Sequence, residues 1–134
     1  MDCVGCSRRA ALVTILLSTT AARAKCGGID VGAIKSYAVG TFKLIEADVG
    51  RIIVARDGAG LYAFSATCTH MGGAISLTDA TGTSACPSHQ SMFGPNGEVL
   101  RGPATRPLPH FAVKQCEGRV FVDPFTIVPP DTRA

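Results

Sequence analysis

The chain has no tryptophan, and aromatic residues make up only 6% of its 134 positions. Its core must therefore rest on Val, Ile, Leu and Ala. A chain this short buries a modest share of its surface, so a bound metal centre would reinforce it. Charge of one sign is also lacking: the formal net charge is +3, and no basic or acidic run is present. The 13 basic and 10 acidic residues include Arg8, Arg9, Arg23 and Asp2 in the first 24 positions, so the remainder carries 10 against 9. With no basic stretch interleaved with aromatics, nucleic-acid binding and steering by a strong net field find no support. Internal repeats and low-complexity tracts are absent, and the length suits one small domain. No apolar stretch reaches the ~20 residues that span a bilayer.

What the chain does have begins with an address. Ser7-Arg8-Arg9 precedes Ala10 to Ala22, an uncharged run of 13 residues. As a helix this run would measure roughly 20 Å, short of the ~30 Å hydrocarbon core. Ala22-Arg23-Ala24 follows as a small-x-small cleavage pattern, so a basic region, an apolar region and a cleavage site stand in order. The paired arginines resemble a twin-arginine export signal, the route for proteins that acquire a cofactor before crossing the membrane, although Ala11 stands where that pattern prefers Phe. Residues 1–24 are thus expected to be a leader and the protein periplasmic, with no permanent span after cleavage; an uncleaved leader would instead be an N-terminal anchor. Cys3 and Cys6 form a C-x-x-C inside this segment, with no second pair at zinc-finger spacing, and read as part of the leader.

Beyond a lead-in over 25–35, the body reads as short strands. Thr41 to Ile45 and Arg51 to Ala55 are rich in β-branched residues, and Asp57-Gly58-Ala59-Gly60 is a turn before Leu61 to Phe64, which predicts a hairpin. Pro95-Asn96-Gly97 is another tight turn, and Glu117-Gly118 separates Phe111 to Lys114 from Arg119 to Val122. Such spacing argues an all-β sandwich or barrel over residues 36–124. Pro124, Pro129 and Pro130 lack the N–H that a central strand needs, so 125–134 is expected to be an extended tail.

The chemistry-bearing residues are concentrated in two short segments. Cys68-Thr69-His70 is followed, after 15 residues, by Cys86-Pro87-Ser88-His89. Each segment supplies one thiolate and one imidazole beside turn-forming Gly72-Gly73 or Pro87. Two Cys and two His also suit tetrahedral zinc, and a zinc-stabilised binding module stays open as an alternative, although C-x-H with C-x-x-H is not a usual zinc-finger order. A nucleophilic cysteine would need an oxyanion arrangement for which no feature speaks.

The two segments resemble the boxes of the Rieske iron-sulfur family. C-T-H-x-G is present as Cys68-Thr69-His70-Met71-Gly72, and C-P-x-H-x-S as Cys86-Pro87-Ser88-His89-Gln90-Ser91. A Gly-Pro loop like the one that caps the cluster in that family follows at Gly102-Pro103-Ala104. The resemblance covers roughly Gly40 to Asp123 and implies an antiparallel β-sandwich or barrel with a small cluster-binding subdomain of two loops. It also implies one [2Fe-2S] cluster, with Cys68 and Cys86 on one iron and His70 and His89 on the other. Neutral imidazoles in place of two thiolates make such a cluster easier to reduce.

Departures from the family pattern bear on potential. Respiratory and photosynthetic members carry an extra cysteine in each box, joined as a disulfide; Gly73 and Ser88 stand there, as in the low-potential ferredoxins of aromatic-ring oxygenases. Ser91 keeps the position whose hydroxyl bonds a bridging sulfide in high-potential members, whereas Phe93 replaces their tyrosine. With one of two sulfur hydrogen bonds retained, a potential inside the roughly −150 to +300 mV Rieske range, and not at its top, is expected.

The resemblance implies one-electron transfer by a periplasmic carrier or by the small electron-transfer subunit of an oxidoreductase. The partner would be a cytochrome, a molybdenum oxidase or a respiratory complex, and no catalytic site is expected in this chain. The alternative is the ferredoxin component of an aromatic-ring oxygenase. Cys26 and Cys116 remain as a candidate disulfide. His110 reads as an exposed loop histidine, and Arg101 and Arg106, which bracket the Gly-Pro loop, as solvated side chains.

Overall fold

The computed structural model describes residues 26–134, and the leader expected over 1–24 lies outside them. Ten strands follow one another: β1 (Ile29–Ala33), β2 (Phe42–Ala47), β3 (Gly50–Asp57), β4 (Gly60–Ser65), β5 (Ser76–Leu77), β6 (Ser84–Ala85), β7 (Met92–Phe93), β8 (Val99–Arg101), β9 (His110–Cys116) and β10 (Arg119–Val128). The long strands form a six-stranded antiparallel sheet in the order β1-β10-β9-β4-β3-β2, and the short ones a four-stranded sheet in the order β5-β6-β7-β8. The edges β1 and β2 line one groove through Ile29, Asp30, Ile45 and Glu46, so the large sheet curls nearly into a barrel. Among the described residues no helix is long and apolar enough to cross a membrane.

The unbroken apolar run Ile52-Ile53-Val54-Ala55 has a structural reason. Side chains alternate across a strand, and both faces of β3 are covered. Ile52 and Val54 join Tyr37, Leu61, Ala63, Val120 and Val122 in one core. Ile53 and Ala55 join Tyr62, Phe64, Phe93 and Leu108 in the other, which also contains Cys68, Cys86 and Ala104. The large sheet is therefore a wall with its own core on one side and the small subdomain on the other. β4 follows the same rule, with Leu61 and Ala63 facing one way and Tyr62 and Phe64 the other.

Three expectations need correction. The lead-in over 25–35 contains β1, which pairs with β10 from Ile29↔Val122 to Ala33↔Arg119; its five residues, interrupted by Gly32, are too short to show a period. The tail expected over 125–134 is strand as far as Val128. The sheet tolerates Pro124 because β1 stops pairing at Val122 and the register of β10 on β9 breaks between Asp123 and Ile127. Asp123 shapes that break, its carboxylate accepting the Phe125 N–H at 3.0 Å and the Thr126 hydroxyl at 2.6 Å. The remaining residues fold back onto β4: Ala134 and Leu61 exchange backbone hydrogen bonds, and the Arg133 guanidinium lies 3.9 Å over the Tyr62 ring.

His110 is the third correction. It is 2% exposed and opens β9, with its ring beside Tyr62 and Phe64 and Nε2 2.8 Å from the Asn96 carbonyl oxygen. That carbonyl comes from the β7–β8 turn, so the histidine fastens the small subdomain to the large sheet. Cys26 and Cys116 are paired as a disulfide with Cα atoms 5.9 Å apart, which closes the start of the described chain onto the β9–β10 hairpin.

Candidate metal centre

Two loops of the small subdomain have the same backbone design. In the first, the Cys68 N–H donates to the Gly73 carbonyl and the Cys68 carbonyl accepts the Gly72 N–H. In the second, the Cys86 N–H donates to the Ser91 carbonyl and the Cys86 carbonyl accepts the Gln90 N–H. Both loops therefore close four and five residues after a cysteine. Each needs a left-handed residue at its fourth step: Gly72 has φ +73° and Gln90 has φ 65°. Glycine takes that conformation without strain and Gln does not, so Gln90 is held by the two hydrogen bonds that close its loop.

Burial separates the four donors into two kinds. Cys68 and Cys86 are 3% and 1% exposed, are free thiols and touch one another. His70 and His89 are at the loop tips, both exposed, with ring centroids 5.0 Å apart in an edge-to-face arrangement. Burial pushes the Cys86 thiol up. The backbone N–H of Ser88, the Cys68 thiol, the Ser88 hydroxyl and the His89 N–H together outweigh it and hold the group below its ordinary value. The site therefore favours a thiolate at Cys86.

A third segment closes over both loops. Ser91 is fully buried, and its Oγ accepts the Ala104 N–H at 3.0 Å, which ties the second loop to Gly102-Pro103-Ala104. Thr69 donates its hydroxyl to the Arg106 carbonyl at 2.6 Å, and an Arg106 guanidinium N–H reaches the Thr69 carbonyl at 3.4 Å. No local signal in the sequence points to these Thr69–Arg106 contacts, because the partners lie 37 residues apart. Phe93 is fully buried in the core that holds both thiols.

Gly73 and Ser88 face each other across the loops. A Cβ on Gly73 would stand 3.4 Å from Ser88 Cβ and 2.6 Å from Cys86 Sγ. The two expected disulfide positions of the family are thus adjacent, and this chain fills them with a hydrogen and a hydroxyl. Cys26 precedes β1 and Cys116 ends β9, so their disulfide lies away from the loops.

Among the described residues no three His, Cys, Asp or Glu side chains converge on a point that would hold a single ion. Two buried thiols and two outer imidazoles instead suit a binuclear group that takes one pair of ligands at each iron, and this donor set fits a [2Fe-2S] cluster.

The family model for the Rieske [2Fe-2S] domain matches residues 29–112. The cytochrome b6-f complex iron-sulfur subunit of Chlorobaculum tepidum is 33% identical over 92 residues, 69% of this chain and 51% of that protein. The chain spans between 33% and 52% of the length of three such relatives. The structure of the cyanobacterial plasma membrane Rieske protein from Synechocystis superposes with a TM-score of 0.59 at 28% identity, covering 71% of this chain and 98% of that one. A chain from the complex of reduced oxygenase and oxidised ferredoxin in carbazole 1,9a-dioxygenase gives 0.56 at 30% identity, covering 75% and 96%. Strand order, loop pair and family model agree: this chain belongs to the Rieske [2Fe-2S] family, and its domain serves one-electron transfer through one [2Fe-2S] cluster.

Proposed function

We propose that Cys68 and Cys86 hold the inner iron and His70 and His89 the outer iron of the cluster, and that the protein works as an exported one-electron carrier or small electron-transfer subunit. The observation that carries this reading is the pair of equivalent loops, which present thiols to the core and imidazoles at their tips. When bound, the cluster supplies a centre that accepts and releases one electron. The chain's own residues determine how it is held and reached. Cys68 and Cys86 lie where water is excluded, and N–H donors favour the thiolate form of Cys86. His70 and His89 bring the centre to the surface, where a partner can approach. Ser91 and the Gly102–Ala104 segment close the pocket, with Ser91 as a tuning donor and Phe93 unable to act as a second one.

Loss of the visible absorption and paramagnetic resonance signal of the dithionite-reduced protein on His89→Ala or Cys86→Ser tests the assignment. A wild-type protein without iron and inorganic sulfide would overturn it, and stoichiometric zinc would restore the zinc-module reading. Export rests on Ser7-Arg8-Arg9 and the apolar run behind it. A reporter fused to residues 1–30 should leave the cytoplasm and be retained after Arg8→Lys with Arg9→Lys.

A redox protein is the partner, with a cytochrome, molybdenum oxidase or respiratory complex as the candidate classes. The ferredoxin component of an oxygenase system is the second reading, favoured by the likeness to the carbazole 1,9a-dioxygenase complex and by Gly73 and Ser88. Export argues against it.

A further inference from the structure

The end of the small subdomain that carries His70 and His89 has charge of one sign. It is built from residues 66–75, 86–91 and 101–108, which include Arg101 and Arg106 and no Asp or Glu. The subdomain's carboxylates, Asp79 and Glu98, lie in the β5–β6 and β7–β8 connections, at the other ends of the strands. Strand order makes this separation unavoidable. The β6–β7 connection is the second histidine loop, so the connections before β6 and after β7 must lie opposite it.

Neither arginine has an ion-pair partner among the described residues. Among the described residues Arg51, Arg119 and Arg133 face Glu46, Asp30 and Asp57, whereas Arg101 and Arg106 are exposed and meet no carboxylate. Arg106 reaches the Thr69 carbonyl, beside His70. Between the arginines and the imidazoles the surface is uncharged and partly apolar: Met71 is 72% exposed, and Pro87 and Pro103 are exposed. An apolar centre rimmed by arginine is the composition of a protein docking patch.

We propose that this end docks a redox protein whose own cofactor is ringed by carboxylates. The inference rests on the assignment of His70 and His89 as outer ligands and adds the sign of the partner. Carboxylates would pair with the two guanidinium groups as they leave water, whereas a lysine-ringed partner would be repelled and an apolar pocket would strand both charges. Steering by such a patch needs no large net charge on the protein, because it acts at close range.

Native and succinylated cytochrome c provide the probe, since they share a haem and differ in carrying lysines or carboxylates on its rim. Binding of the full-length holoprotein to each is measured by surface plasmon resonance at about 0.01 M and about 1 M salt, where the screening length is ~30 Å and ~3 Å. The succinylated form should bind at least about tenfold more tightly at low salt, and the preference should vanish at high salt. Arg101→Glu with Arg106→Glu should reverse the preference, and Arg101→Gln with Arg106→Gln should abolish it; the second pair serves if the first fails to fold. Stopped-flow transfer of one electron from the reduced holoprotein to ferric haem should follow the same order.

Equal binding of the two cytochromes, preference for the native form, or a preference indifferent to both variants would overturn the proposal. So would retention on phosphatidylglycerol vesicles in place of succinylated cytochrome c, which would make the patch a membrane contact. Failure of the ligand assignment is separately visible, as a wild-type protein without the Rieske spectrum, before any binding is measured.

Discussion

Ser91→Ala removes one oxygen that has two duties. The residue is fully buried, and Oγ accepts the N–H of Ala104, itself 3% exposed, at 3.0 Å. Alanine leaves that N–H buried without a partner, which costs about 1–3 kcal/mol. In a domain of this size each kcal/mol lowers the melting temperature by about 4–8 °C, so a fall of roughly 5–20 °C is expected in a thermal scan of the holoprotein. The hydroxyl hydrogen has the second duty. With its oxygen accepting from Ala104, Ser91 keeps one donor, and the proposed acceptor is a cluster sulfur. A bond that favours the reduced state by about 1.4 kcal/mol shifts a one-electron couple by about 60 mV, so redox titration should find the variant lower by about that amount.

Thr69→Val is the control. It cuts a second tie to the capping segment, the Thr69 hydroxyl to the Arg106 carbonyl, and should move the melting temperature with little change in potential. An unchanged melting temperature in Ser91→Ala would refute the loop tie. A potential within about 10 mV of wild type, with melting lowered, would refute the donor role.

Three further outcomes are expected. Burial holds the His110 pKa below its ordinary 6.5, against the Asn96 hydrogen bond and Glu98 and with the help of Arg133, and Nδ1 is buried without a partner. The unfolded chain therefore takes up a proton first. Stability contributed by neutral His110 is present above pH ~6.5 and is lost as pH falls below it, so melting scans from about pH 8 to 5 should slope less in His110→Phe, and parallel slopes would contradict this. Cys26→Ser with Cys116→Ser opens a closure of 90 residues; denaturant titration should show a loss of up to about 4–5 kcal/mol, and an unaltered midpoint would deny the bridge a role in stability. Gly73→Cys with Ser88→Cys should cross-link the loops under oxidation, because the Cβ positions fall 3.4 Å apart. Two free thiols in a non-reducing peptide map would show that Cys86 Sγ, 2.6 Å from the same point, does not yield.

Features that depend on neighbours in the chain are legible in the sequence. The Cys68-Thr69-His70 and Cys86-Pro87-Ser88-His89 segments carry their ligands and turns within a few residues, and the β3–β4 and β9–β10 hairpins are signalled by Asp57-Gly58-Ala59-Gly60 and Glu117-Gly118. Local composition specifies local backbone, so strand type, turn positions and donor set follow from short stretches of residues. Strand ends are less legible. Pro124 reads as a stop, yet whether its missing N–H matters depends on whether β1 still pairs opposite it, and β1 does not.

Residue order along the chain is enough to specify an all-β protein with two cysteine–histidine loops, and the family resemblance of those loops adds a capping Gly-Pro segment and two vacant disulfide positions. Packing in three dimensions settles which groups end up buried, paired or bare. His110 is buried because the Asn96 carbonyl arrives from another turn, 14 residues away. Arg101 and Arg106 meet no carboxylate among the described residues because strand order carries Asp79 and Glu98 to the far ends of the small sheet. Burial and charge compensation are sums over neighbours in space, and the backbone path that selects those neighbours is a property of the fold.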